Sequence, residues 1–215
     1  AAIIGKYLAE KATVPVVLHL DHGEDIDFIR RAIELGFNSV MIDASQKSFD
    51  ENVRLSKEVV ELAHSHHVTV EAELGHVGSN ANASEKGLPD SIYTEVDAVI
   101  DFVEQTGVDS LAISIGTAHG VYKGVPKINF ERLHEIANLT NVPLVLHGGS
   151  SSGDENLERC ATEGISKINI YTDFLVGAVN EIQKNPYQDY VQLKKLANAG
   201  MYSVLNHYYD VFHTK

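Results

Sequence analysis

Three histidines, His22, His119 and His147, stand at or just past the ends of apolar, β-branched runs reading VPVVLHLDH, SLAISIGTAH and PLVLH. Neutral imidazoles are the usual protein ligands of a catalytic zinc, which keeps a further position open for substrate. One histidine at a strand end is more often a hydrogen-bonded polar residue than a ligand. Three at equivalent places form a ligand set if the strands deliver their ends to one rim. Asp21, next to His22, is a carboxylate able to move a proton on a substrate bound to that metal, and His19 shares its strand parity. Asp43 at the end of the second run and Glu73 in the third add acids to the same rim, where they could hold a second ion or orient a histidine. Inward acids among Val, Ala and Leu cost desolvation unless a cation or metal pairs with them. For Glu71 a structural salt bridge is an equal alternative.

Positioning these residues requires strands whose ends converge. Six short apolar runs, at about 14–20, 39–43, 68–74, 110–116, 143–148 and 167–172, read as buried parallel strands. Between them, stretches such as DIDFIRRAIELG and NVRLSKEVVELAHSH repeat apolar residues at helical spacing. Gly36, Gly107 and Gly164 close helical patterns just before strands, as glycine does at a helix C′ position. Alternating strands and helices form an α/β parallel sheet or barrel that binds ligands at the carboxyl ends of its strands. Six units are too few for the eight-stranded (β/α)8 TIM barrel that the alternation evokes. The expectation is therefore such a barrel lacking its first two βα units, with residues 1–215 as one incomplete barrel domain; an open six-unit sheet is the literal reading.

After the fifth run comes HGGSSSG, and in the sixth KINIYTD. Small residues let backbone N–H groups approach an anion, and in barrels the loops after the last two strands form the phosphate site. Gly148, Gly149 and Ser150 would supply one wall, Asn169 and Thr172 the other. A polarising metal, an acid/base carboxylate and a phosphate cradle suit cleavage of a carbon–carbon bond next to a carbonyl. Schiff-base chemistry would need an inward lysine at the active end of a strand. Lys167 has inward parity but sits at the start of its run, and is read as structural.

Composition narrows the partners. The chain has 215 residues, 44% hydrophobic and 22% charged, with a net charge of -13. That balance matches a soluble globular protein and argues against a nucleic-acid surface, which needs Lys and Arg clusters. Cys160 is the only cysteine and reads as a small helix residue, so a cytoplasmic setting without disulfides is expected. No run nears the roughly 18 apolar residues of a membrane span. Residues 75–94, rich in Gly, Asn, Ala and Ser, make a long connection and a lid candidate.

In order, HLDHG, MIDAS, VEAELG, GTAHGVYKGVPKINFERL, LHGGS and KINIYTD resemble the motifs of class II, zinc-dependent ketose-bisphosphate aldolases. The resemblance spans nearly the whole chain. It implies an eight-stranded barrel, and hence that about sixty residues with two strands are missing, so that the bare chain would not be active alone. It implies Asp21 as proton donor and acceptor at the aldehyde-side hydroxyl, and His22, His119 and His147 as Zn2+ ligands. Asp43 and Glu73 match positions able to hold the metal in an alternative site. Gly120, Gly148, Gly149, Ser150, Asn169, Ile170, Tyr171 and Thr172 match the binding stretch for dihydroxyacetone phosphate, often assisted by a monovalent cation. A small-molecule sugar phosphate is the implied substrate, and a homodimer or homotetramer the implied assembly.

Two departures from the family pattern stand out. Where many fructose-bisphosphate aldolases carry Gly-Gly-Glu-Glu-Asp, one of whose glutamates exchanges the C1 proton, this chain has Gly78, Ser79, Asn80, Ala81 and Asn82. The nearest acid is Glu85. Tyr171 stands where fructose-selective members have Asp and tagatose-type members Ala, so the aldehyde half of the pocket is expected to differ. The expected function is a zinc-dependent aldolase; the alternatives are a non-catalytic sugar-phosphate binding paralogue and a zinc-dependent hydrolase.

Overall fold

The computed structural model describes residues 1–77, 93–120, 122 and 124–214. Six strands, β1 (His19–Gly23), β2 (Ser39–Ile42), β3 (Thr69–Leu74), β4 (Ser110–Ile113), β5 (Leu144–Leu146) and β6 (Ile165–Ile168), form one parallel sheet in sequence order. Helices α1 (Ala2–Lys11), α2 (Ile26–Glu34), α3 (Phe49–His64), α4 (Ala98–Thr106), α5 (Phe130–Leu139), α6 (Asp154–Glu163), α7 (Thr172–Lys184) and α8 (Tyr190–Val211) precede, connect and follow the strands.

The eight-stranded barrel lacking its first two βα units is not what the chain forms; the six strands build an open parallel sheet, the literal reading of the six runs. Among the described residues β1 and β6 are the edges of an open sheet and do not pair with each other. Closure demands that strand number, tilt and stagger match around a full circle, and six strands here leave the ends apart. The first expected strand is also displaced: Val14, Val16 and Val17 are exposed, and pairing begins only at His19.

Helix limits follow local chemistry. Asp25, Ser48 and Asn129 cap α2, α3 and α5 by accepting from the backbone N–H three residues on, and Gly107 ends α4 in the left-handed region at φ 69°. The core lies between sheet and helices. Val40, Ile42, Val70, Ala72, Leu111, Ile113, Leu144 and Leu146 pack there with Ile29, Val59, Phe102, Leu133, Ile136 and Leu157. Because strand side chains alternate between faces, the residues between them point to the other face. That face carries Met41, Glu71, Glu73, Ala112, Val145, His147 and Lys167. Its polar members mark it as the working surface.

Two register irregularities matter. Between Leu20 and Gly23, β1 spends one more residue than β2, and His22 takes a left-handed φ of 47°. Such a bulge breaks strict alternation and re-aims side chains, so the adjacent Asp21 and His22 both serve one rim. A second irregularity, between Leu144 and Val145 of β5 and their β6 partners, pairs Lys167 with Val145. Lys167 is thus the third residue of its strand, not at its far end as its place in the sixth apolar run implied.

Candidate metal centre

The sheet brings His22, His119 and His147 together, with one ring nitrogen of each within 4.8 Å of the others. Their ring centroids lie 5.0, 4.6 and 5.8 Å apart. His147 follows β5 directly and is fully buried. His119 arrives by a longer route, held by three bonds. Thr117 Oγ1 donates to the His147 carbonyl at 2.7 Å, the Tyr122 hydroxyl donates to the Gly148 carbonyl at 3.1 Å, and the Ala118 N–H donates to that hydroxyl. Gly148 is required for this approach: its φ is 66°, and a Cβ there would lie 2.5 Å from the Ala118 carbonyl oxygen.

The donor set fits a divalent ion. His22 Nδ1 lies 2.8 Å from Asp43 Oδ2, and His147 Nε2 lies 2.8 Å from Glu71 Oε1. A carboxylate takes the N–H of each ring, leaving a lone pair on the other nitrogen. Those two nitrogens, His22 Nε2 and His147 Nδ1, face each other at 2.9 Å. Two lone pairs so close repel unless a proton or cation joins them. Nitrogens sharing a tetrahedral zinc at its usual bond length sit about 3.4 Å apart, so a small opening of this pair admits the ion.

The electrostatics act on these groups in opposite directions. Burial, then the charges of His22 and His147, push His119 down to about 4, keeping its ring neutral. The Asp43 bond raises His22. Burial would raise Asp43 and Glu71, but hydrogen bonds prevail: His22 and Ser45 hold Asp43 well below the usual carboxylate range, and His147 and Lys167 bring Glu71 to about 2. Glu73 goes the other way, to about 7, through burial and the nearby Asp43 charge. Its Oε1 accepts from the Val77 N–H at 2.9 Å, while its Oε2 is buried without a partner. His22, Asp43 and Glu73, the residues read as an alternative metal set, also group within the same 4.8 Å limit.

Asp21 sits on the same rim, its Oδ1 accepting from Asn169 Nδ2 at 3.0 Å. The two loops read as a phosphate cradle adjoin each other: the Gly149 N–H donates to the Asn169 carbonyl at 3.2 Å, and the Tyr171 N–H donates to Ser150 Oγ at 3.1 Å. Ile170 and Thr172 are half-buried, Gly120 lies beyond His119 at φ 101°, and Tyr171 is 72% exposed. An open cavity of about 360 Å³ is lined by His22, Asp43, Gln46, His76, Val77 and His119. Residues 78–92, with Glu85 and most of the lid candidate, lie outside the described residues.

Several participants were not read as site residues. His76 and Gln46 line the cavity, and Ser45 bonds both Asp43 and His76. Their signal was proximity in sequence to Asp43 and Glu73. Lys167 joins Glu71 to Asn169, a contact hidden from any motif.

The sequence profile described as "Fructose-bisphosphate aldolase class-II" matches residues 1–215. This chain belongs to the class-II fructose-bisphosphate aldolase family. It is 44% identical over 188 residues to the uncharacterized protein YdjI of Escherichia coli K12, covering 87% of this chain and 67% of YdjI. It is 48% identical over 165 residues to a 6-phospho-5-dehydro-2-deoxy-D-gluconate aldolase of Shouchella clausii, covering 76% of this chain and 55% of that protein. The crystal structure of the E. coli K12 YdjI aldolase superposes with a TM-score of 0.86 at 37% identity, covering 98% of this chain and 74% of that one. The chain thus spans between about half and two thirds of the curated relatives' length. Among the described residues no helix is long and apolar enough to cross a membrane.

Proposed function

We propose that this chain carries the reaction centre of a zinc-dependent aldolase that reversibly cleaves a ketose phosphate to dihydroxyacetone phosphate and an aldehyde. The observation that carries this reading is the facing pair His22 Nε2 and His147 Nδ1, each ring backed by a carboxylate, with His119 beside them. Zinc held by these three rings would polarise the ketone carbonyl as a Lewis acid. In the cleavage direction Asp21 takes the proton from the aldehyde-side hydroxyl as the carbon–carbon bond breaks, and the electron pair stays with the dihydroxyacetone phosphate half. Asn169 steadies Asp21 through its amide N–H. The Gly148–Ser150 turn and the Asn169–Thr172 segment hold the phosphate, with Gly120 closing the pocket beside His119 and a monovalent cation assisting.

Tyr171 argues for an aldehyde other than glyceraldehyde 3-phosphate, because a phenol is larger than Asp or Ala and offers a single hydroxyl in place of a carboxylate's two acceptor oxygens. A ketose with its single phosphate on the dihydroxyacetone half, as in the compound named for the Shouchella relative, gives an aldehyde without phosphate. The test is exchange of a C1 hydrogen of dihydroxyacetone phosphate in D2O by the full-length protein, together with a panel of ketose phosphates. Exchange that stops on chelation, and weaker cleavage of fructose 1,6-bisphosphate than of another ketose phosphate, are expected. A zinc-loaded protein that neither exchanges nor cleaves would be a binder and would overturn the reading; hydrolysis without an aldol partner would make it a hydrolase.

A further inference from the structure

Lys167 lies on the working face of β6 with its ammonium between two acceptors, Glu71 Oε2 at 2.9 Å and Asn169 Oδ1 at 2.8 Å. Each acceptor leads to a different part of the site. Glu71, 1% exposed, bonds the ligand ring of His147 through its other oxygen at 2.8 Å. Asn169, with its carbonyl oxygen turned to Lys167, must turn its NH2 away from the ammonium, and that NH2 meets Asp21 Oδ1 at 3.0 Å. The Lys167 ammonium and the Asp21 carboxylate favour the same orientation of this amide. Flipped, it would aim its oxygen at the Asp21 carboxylate and repel it.

We propose that Lys167 is a positioning residue that sets the metal centre and the proton carrier together: through Glu71 it orients His147, and through Asn169 it orients Asp21. A buried carboxylate is tolerated only when paired and hydrogen-bonded, and Lys167 is the cation that pairs with Glu71 on the side away from His147. His19 also faces this oxygen, its Nε2 at 3.8 Å, too far for a hydrogen bond; its Nδ1 is engaged with Ser39 Oγ at 2.7 Å. Lys167 is therefore the only group besides His147 within hydrogen-bonding distance of the Glu71 carboxylate among the described residues. The proposal rests on the aldolase reading for Asp21, but its metal half does not need turnover.

The experiment compares the full-length parent protein with Lys167→Met, Lys167→Arg and the double variant Lys167→Met/Glu71→Gln. Zinc affinity is read by competition with a chromophoric chelator and ligand geometry by the visible spectrum of the cobalt-substituted protein. Lys167→Met should weaken zinc roughly 10-fold, as loss of an outer partner of a ligand does, shift the cobalt bands, and lower kcat about 10-fold or more with KM changed less than about 3-fold. Lys167→Arg should restore most of the zinc affinity. The double variant leaves no unpaired buried charge, so it keeps the test available if the single variant fails to fold. It should bind zinc no better than Lys167→Met, because both changes act on one path. A folded Lys167→Met or double variant with parental zinc affinity, cobalt spectrum and kcat would overturn the proposal, leaving Lys167 a structural ion pair. A full-length parent protein that binds zinc but cleaves nothing would instead refute the aldolase reading, and the zinc comparison would still decide the metal half.

Discussion

Nε2 of His22 lies 2.9 Å from Nδ1 of His147, although 125 positions separate them in the chain, and each ring's other nitrogen is tied to a carboxylate. This arrangement presets both tautomers and concentrates two lone pairs on one point. One zinc per chain is expected to bind there. Saturation at 100 times Kd should add about 2.7 kcal/mol of stability, visible as a rise in Tm that His147→Ala abolishes. Asp43 favours the protonated form of His22, so protons compete at a higher pH than for a free imidazole. Zinc affinity, followed by chelator competition, should fall as pH is lowered from 8 to 6; a pH-independent affinity would contradict the ligand assignment.

Asp21 is bonded through its carboxylate to Asn169 and lies outside the three-histidine group. Asp21→Asn should therefore lower turnover at least about 100-fold while metal analysis still finds parental zinc content. Loss of zinc along with activity would identify Asp21 as a structural support of the centre.

The two acids of β3 have opposite pH signatures in zinc-free protein. Glu71 is depressed from 4.5 to about 2, so its stabilisation is present above about pH 4.5 and is lost as pH falls toward 2. Glu73 is raised from 4.5 to about 7; its contribution is intact below about pH 4.5 and is lost as pH rises toward 7, on the order of 3 kcal/mol. Thermal melts of the zinc-free chain should show Glu73→Gln gaining on the parent between pH 5 and 8, and Glu71→Gln with a flatter acid limb below pH 4.5.

Tyr208, near the end of α8, donates its hydroxyl to Asp173 Oδ2, which also accepts from the Ser151 N–H at 2.7 Å. Ser151 holds a strained φ of 59° beside the Gly148–Ser150 turn, with its hydroxyl on Asp173 Oδ1 at 2.7 Å. Tyr208→Phe removes a hydrogen bond to a charged group, a loss of about 1.5–3 kcal/mol. It should lower Tm and raise KM for the phosphorylated substrate more than it lowers kcat. Unchanged KM would disconnect this anchor from the phosphate loop.

Helices α7 and α8 cross at Gly177 and Gly200, so closely that a Cβ on Gly200 would collide with the Gly177 carbonyl oxygen. Gly200→Ala should cost about 1–3 kcal/mol through overpacking and spread the pair. Because Tyr208 rides on α8, the same variant should weaken the Ser151 anchor; denaturant melts and KM measure the two effects.

Strand-end histidines and apolar periodicity made His22, His119 and His147, the middle four strands and the parallel arrangement legible, because those patterns are local; the first and sixth runs, read as 14–20 and 167–172, pair instead at His19–Gly23 and Ile165–Ile168. The amino-acid sequence by itself determined which residue types stand at the strand ends, and with them the chemistry open to the site. Tertiary structure decided the rest. Strict parity could not show that a bulge at Asp21 and His22 aims two neighbours at one rim, or that a register irregularity carries Lys167 up to Glu71, 96 positions away. It could not foresee that Tyr208 on the last helix would anchor the loop after β5. Nor could repeated strand and helix units fix how far the sheet curls: closure depends on pairing between the first and last strands, a long-range relation that no local pattern encodes, and here β1 and β6 remain apart.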